Sequence, residues 1–214
     1  MMSGQPKIKR KVEDHMKLTV HAFVTLDGVM QAPSTPEEDT SYGFDQGGWA
    51  SSFGDDDDVD RVVSDWFKQT DELLYGRGTY DSVSTFWSHV TDPDDQIAAT
   101  INAAPKHLVS SSTVEPRWEN TASVFSGDIE GEVTALKERS GRELQVHGSW
   151  QLVQTLHNAG LIDEYRIIEF PVVVGPGKRL FSDNAMPYSF DVVHTELFDS
   201  GAVYRALRPA ASLQ

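Results

Sequence analysis

The sequence predicts an α/β protein, a sandwich of helices on a mostly parallel sheet with an antiparallel hairpin at its C-terminal edge. Apolar, β-rich runs alternate with helical periodicity through the middle of the chain. The closing stretch "SFDVVHTELFDSGAVYRALRP" reads as two strands joined at Asp199-Ser200-Gly201. No internal repeat and no second linker interrupts the 214 residues. One domain over residues 16–214 is therefore expected, with ample length for a real core.

The elements follow in order. Residues 1–15 read as a disordered tail, and their "KIKRK" as solvated charge. "KLTVHAFVTLDG" (17–28) alternates, is β-rich and breaks at Asp27-Gly28, which predicts a strand and a turn. Residues 29–54 carry Pro and Gly with little periodicity; a loop of that length is usually functional, and it is expected to cover a ligand. In "DDDDVDRVVSDWF", Val59, Val62, Val63 and Trp66 form one face of a helix, and the Asp55–Asp58 run sits at its start, where acids favour the dipole. The same run fails as a calcium loop, because it lacks Gly at the sixth position and has Trp66 at the twelfth.

"ELLYG" (72–76) predicts a short buried strand, and "TYDSVSTFW" a helix with Tyr80, Val83 and Trp87 on one face. "KHLVSSS" (106–112) is a strand ending in hydroxyls, and a helix lies around "EVTALKER". "RELQVHG" (142–148) is a strand and "SWQLVQTLHNAG" (149–160) a helix, with Ser149 as N-cap and Gly160 as its left-handed stop. "DEYRIIEFPVVVGPGKRLF" is a strand, a Pro-Gly turn and a second apolar piece.

Composition narrows the chemistry. A formal net charge of -15 and a sequence pI near 4.7 argue against nucleic-acid or anionic-membrane partners, which need a cationic face. The absence of cysteine excludes disulfides, thiolate metal sites and a Cys nucleophile, and fits a reducing, cytoplasmic setting. The N-terminus lacks the apolar core of a secretory signal, and no run of apolar residues is long enough for a spanning helix. No G-x-S-x-G is present, and the seven histidines form no HxxxH or HExxH, so neither a serine hydrolase nor a metal site is expected. His147, at a strand end, reads as a hydrogen-bonded structural residue. "VVVGPGKRLF" fails as a phosphate loop, with Val172 and Arg179 where Gly and Ser/Thr are required.

Two junctions remain, "YGRGTYDS" and "VHGSWQLV", each a strand, a Gly and a helix N-terminus. In a parallel sheet both lie at the carboxyl edge, where ligands of open α/β folds bind. Gly admits phosphate oxygens to the backbone, helix N–H groups point at them, and Arg77 adds charge. Together they could grip the two phosphates of a dinucleotide.

These stretches resemble the dihydrofolate reductase-like superfamily, in the branch similar to the reductase domain of bifunctional riboflavin-biosynthesis proteins. "TLDG", "GGW", "DELLYGRGTYDSV", "LVSSS", "VHGSWQLVQTL" and "LIDEYRIIEFPVVVGPGKRLF" carry the resemblance, in family order over about residues 17 to 181. It implies a three-layer αβα sandwich, an NADPH cofactor and an enzyme that reduces a pteridine-like or aminopyrimidine substrate of the 5-amino-6-ribosylamino-uracil type. A different reading is a nucleotide-binding module that kept the fold without the chemistry. The resemblance implies that Gly76, Arg77 and Thr79 meet the cofactor phosphates on one side and Gly148 and Ser149 on the other. Ser110 and Ser111 would lie near the adenosine 2′-phosphate, and Asp27 and Trp49 in loops over nicotinamide and substrate. A homodimer is also implied. The family often has a Gly pair at the second junction; here Trp150 follows Ser149 and would crowd the pyrophosphate or pack beside it. No catalytic residue is named. On the helix before the "GRGT" junction, where dihydrofolate reductases place an acid facing the pterin, Asp65 is expected in solvent, and Asp60 is the one carboxylate that could look inward.

Overall fold

The structure is a computed structural model, and it describes residues 15–54, 56–112 and 114–212. The tail expected over residues 1–15 thus lies outside the described residues except for His15, which bridges Ser140. Asp55 of the acidic run lies outside them too.

The chain runs β1 (Lys17–Thr25), α1 (Asp57–Phe67), β2 (Thr70–Gly76), α2 (Arg77–Trp87), α3 (Gln96–Ala103), β3 (Lys106–Val109), β4 (Thr121–Phe125), α4 (Ile129–Lys137), β5 (Glu143–His147), α5 (Trp150–Asn158), β6 (Glu164–Phe170), β7 (Tyr188–Leu197) and β8 (Val203–Ser212). The strands form one eight-stranded sheet in the order β4-β3-β2-β5-β1-β6-β8-β7. Every pairing from β4 to β6 is parallel, and the hairpin β7–β8 joins antiparallel to β6.

Alternation in the strands sorts side chains onto two covered faces, as a parallel sheet demands. Leu18, Val20, Leu74, Leu144, Val146 and Ile167 pack under α4 and α5 through Val133, Leu136, Leu152, Val153 and Leu156. Their strand neighbours point the other way. Leu73, Tyr75 and Leu108 pack under α1, α2 and α3 through Phe67, Tyr80 and Ile101, and Ile168 and Phe170 meet α1 through Val62 and Trp66. This is the expected three-layer arrangement. The apolar face read on α1 is buried at Val62 and Trp66, with Val59 and Val63 partly covered. Asp56 caps that helix by accepting from the Asp58 and Val59 N–H groups.

Two elements had no clear signal in the sequence. α3 has only eight residues, and β4, "TASVF", is a short strand at the sheet edge with little alternation.

The segment 29–54 is less loose than its composition suggests. Val29, Ala32, Phe44, Trp49 and Ala50 are core residues. Gly48 N–H donates to Ala32 at 2.8 Å, and Ala50 N–H to Pro33 at 3.0 Å. A Cβ on Gly47 would stand 2.7 Å from the Pro36 carbonyl oxygen, so the pair Gly47-Gly48 permits a backbone approach that a larger residue would block.

Candidate functional site

The two glycine junctions meet. β2 and β5 are neighbours in the sheet, so their carboxyl ends deliver Gly76 and Gly148 to one edge. There they are tied together: Gly76 N–H donates to Ser149 Oγ at 3.0 Å, and Ser149 N–H donates to Thr79 Oγ1 at 3.0 Å. Ser149 therefore does not cap its own helix. It sits at φ 60°, ψ 56°, makes no side-chain cap, and spends its hydroxyl on the facing junction. Gly148 also has positive φ, +67°. No side chain caps α2 or α5, so the first-turn N–H groups of both helices remain available at this edge.

A two-lobed cleft opens beside the lock. The larger lobe, about 560 Å³, is walled by His21, Phe23, Val63, Trp66 and His147. The second, about 510 Å³, runs past Gly76, Arg77, Ser110, Ser111 and Thr155. Thr79, Ser149, Trp150, Asp39 and Lys178 line both. The structure thus gathers Gly76, Arg77, Thr79, Ser110, Ser111, Gly148, Ser149 and Trp150 around one continuous cleft. Trp150 stands as a side wall between the lobes, its ring 5.7 Å from Lys178 Nζ.

Besides Thr79 and Ser149, whose hydroxyls form the lock, two of these side chains are already engaged. Arg77 pairs with Asp81 at 2.5 Å, with both partners exposed. Ser110 is buried and donates to the Ser112 carbonyl at 3.0 Å.

Asp27 and Trp49 lie elsewhere than over the cleft. Asp27 clamps a turn: it accepts from Thr25 Oγ1 at 2.6 Å and from the Gly175 N–H at 2.9 Å. Burial works against its ionisation, but the bonds from Thr25, Gly175 and Val174 outweigh it and lower its pKa. Trp49 is buried, donates to the Gln31 carbonyl at 2.8 Å and packs edge-on against Phe170. Asp60 is exposed and lines neither lobe, because it falls on the outer side of α1. Asp65 is also exposed and pairs with Lys68. From α1, Val63 and Trp66 line the larger lobe.

Two features of the cleft escaped sequence reasoning, and so did the place of His147 beside one of them. One is the Lys178–Asp39 pair, 2.5 Å apart, which joins the 29–54 segment to the turn after β6. Gln31 braces it, accepting from Lys178 N–H and donating to the Asp39 and Ser41 carbonyls. Burial opposes the Asp39 charge, yet the Lys178 and Ser41 bonds lower its pKa. The other is His21, paired in register with His147 on β1 and β5 and stacked on it at 4.6 Å between centroids. His147 Nε2–H donates to Gln145 Oε1 over 2.9 Å and the ring stacks on Phe67, the hydrogen-bonded structural role expected for it. Burial, and then the Arg166 charge, hold its pKa down to about 3. A lone His in a strand gives no sign of such a neighbour; only the register does.

Among the described residues no cluster of three or more His, Cys, Asp or Glu could hold a metal ion, and no helix is long and apolar enough to cross a membrane.

Comparison with known proteins identifies the family and the fold. The RibD C-terminal domain model matches residues 16–204. The uncharacterized protein YyaP of Bacillus subtilis is 32% identical over 148 residues, covering 68% of this chain and 78% of its own. Among solved structures, a Shewanella sp. PV-4 protein named for riboflavin biosynthesis superposes with TM-score 0.69 at 22% identity, over 92% of this chain and all of its own. A Thermotoga maritima diaminohydroxyphosphoribosylaminopyrimidine deaminase/5-amino-6-(5-phosphoribosylamino)uracil reductase gives TM-score 0.57 at 16% identity; 92% of this chain matches 57% of that longer one. Enterococcus faecalis dihydrofolate reductase, complexed with NADP(H), gives 0.56 at 11% identity over 91% of this chain and 97% of its own. The dihydrofolate reductase-like fold is common to all three structures.

Proposed function

The chain belongs to the RibD C-terminal domain family, and from that premise we propose that it is an NADPH-dependent reductase of a pteridine-like or aminopyrimidine heterocycle, of the 5-amino-6-ribosylamino-uracil type. The observation that carries this reading is the lock between the two junctions, which sets two uncapped helix N-termini side by side on one cleft. Such termini favour phosphate through their N–H groups and their dipoles. The fold is also that of a reductase whose structure holds NADP(H).

In this reading Gly76, Arg77 and Thr79 hold one phosphate and Gly148 and Ser149 the other. Arg77 exchanges Asp81 for the ligand, and Ser111 lies at the far end of the second lobe. Bound NADPH supplies the hydride. The protein's own part is positioning. His21, His147 and Trp66 give the larger lobe flat walls suited to a planar ring, and the Lys178–Asp39 pair borders both lobes.

Titration calorimetry with NADPH tests the first half. Thr79→Val removes the hydroxyl that fixes Ser149 and nearly preserves volume; about tenfold weaker NADPH binding is expected, from one lost hydrogen bond. The second half is tested by NADPH oxidation with a ribosylated aminouracil. Absence of NADPH binding would sink the reading. Tight NADPH binding without turnover of any aminopyrimidine or pteridine would favour the non-catalytic module.

A further inference from the structure

Tyr42 combines a costly backbone with an uncovered side chain. It takes φ 60°, ψ 21°, in the left-handed region that few residues other than Gly adopt. The residue is 85% exposed, so burial returns little for that conformation.

The place of the ring is nevertheless built. On one side the Ser41 carbonyl accepts from the amide of buried Gln31 at 3.0 Å, and the Ser41 N–H and hydroxyl donate to Asp39 at 3.1 and 2.6 Å. On the other side Phe44 is packed in the core. Only Tyr42 and Gly43 lie between these anchors, and both have positive φ. The turn they make presents the ring at the rim of the cleft. There it stands over the Lys178 ammonium, with 5.6 Å from Nζ to the ring centre, and lines the second lobe but not the larger one. Lys178 borders both lobes, so Tyr42 stands where the second lobe meets the larger. A cation–π contact at an exposed site is weak, and Lys178 already has Asp39 as its partner. Neither accounts for an aromatic residue in a left-handed turn. Such outliers gather where a ligand is held.

We propose that Tyr42 closes the second lobe from the solvent side. Its ring folds over the stretch of the dinucleotide that crosses between the lobes and shields the phosphates there from water. Charges attract more strongly out of water, so the cover strengthens the hold of the Lys178 ammonium and the helix N–H groups on phosphate. Affinity for what fills the second lobe then depends on the Tyr42 ring, and the hydroxyl is dispensable. The assignment rests on a dinucleotide lying in this cleft, as proposed above, and adds a contact that the glycine junctions do not supply.

The test is titration calorimetry on the full chain with NADPH and with 2′-phospho-ADP-ribose, which keeps the phosphates and lacks the nicotinamide. Tyr42→Gly is expected to weaken both by about tenfold, the effect of one ring face no longer covered. Tyr42→Phe, which keeps the ring, should bind both as wild type does. Gly fits a left-handed turn without steric cost, so Tyr42→Gly should not lower the urea midpoint, whereas loss of a residue that served the fold would. In wild type with ring-labelled tyrosine, the Tyr42 signal, identified by its absence from Tyr42→Phe, should move when either ligand is added. This readout needs no variant to bind. A lowered midpoint, unchanged affinities, a loss confined to NADPH or a Tyr42 signal that neither ligand moves would each overturn the assignment. Failure of wild type to bind NADPH would overturn the reductase reading itself, and this assignment with it.

Discussion

His21 and His147 stand side by side on β1 and β5, both with pKa values lowered first by burial. In the unfolded chain each takes up a proton near pH 6.5. In the folded protein they do not, His147 until about 3. Below pH 6.5 the unfolded state therefore binds more protons, and stability must fall as pH falls. Each histidine contributes up to about 1.4 kcal/mol per pH unit to that slope. His147 is only partly enclosed, so the larger share belongs to the fully buried His21. Urea unfolding at pH 7, 6 and 5 should show the decline before the carboxylates titrate. His147→Phe, which can still stack on Phe67, should flatten it. Arg77 is the other residue with a measurable role. Its side chain is 45% exposed and paired with Asp81, so a ligand phosphate gains only the difference between two partners. Arg77→Ala should weaken NADPH binding by about 1.5 kcal/mol, the low end for a charge-assisted hydrogen bond. Equal affinities by calorimetry would remove Arg77 from the site.

The segment 29–54 shows how an element can be half scaffold and half cover. Phe44, Trp49 and Ala50 anchor it in the core, whereas Ser34, Glu38, Asp39 and Ser41 border the cleft. Ligand-induced protection from hydrogen exchange should therefore appear over about residues 34–43 and be small over 44–50. Uniform protection across the whole segment would mean that it moves as one body. Gly47→Ala forces a methyl group against the Pro36 backbone. Overpacking of that kind costs about 1–3 kcal/mol, and a fall in the denaturant midpoint without a change in slope would register it. α1 carries the next expectation. Asp60 and Asp65 both face solvent, so no carboxylate from this helix reaches the larger lobe. Dihydrofolate should then be turned over weakly or not at all, for want of a charge-assisted anchor and a route for the proton. Turnover near about 10 per second that Asp60→Asn abolishes would show that this helix does act on substrate.

At the scale of the whole molecule, the cleft lies where the carboxyl ends of β1, β2 and β5 converge, so a ligand there touches α1, α2, α5 and the 29–54 segment at once. A ligand that binds only this assembled state raises the free energy of unfolding by about 2.7 kcal/mol at a hundred times its Kd. NADPH should therefore raise the melting temperature in a concentration-dependent way, and NADP+ should do so too if the phosphates dominate. A melting temperature insensitive to both would place their affinity outside any useful range.

Strand and helix types, the closing hairpin, the buried face of α1 and the pair of glycine junctions were all legible in the sequence, because each rests on local periodicity or on the backbone freedom of a residue such as Gly76 or Gly148. α3 and β4 were not, being too short to repeat a pattern and held mainly by their neighbours. The residues of the cleft divide in the same way. Gly76, Thr79, Gly148 and Ser149 announced themselves as turn chemistry. Lys178, Asp39, His21 and the place of His147 on the cleft did not, since a loop cation, a loop acid and two strand histidines are unremarkable until the sheet register and the path of the 29–54 segment bring them together. Trp49 and Asp27 show the reverse: conspicuous beside a turn or a Gly pair, they serve the core and the turn. A sequence states which conformations each stretch prefers. Which side chains share a cavity depends on contacts between residues more than a hundred positions apart, and only the tertiary structure decides those.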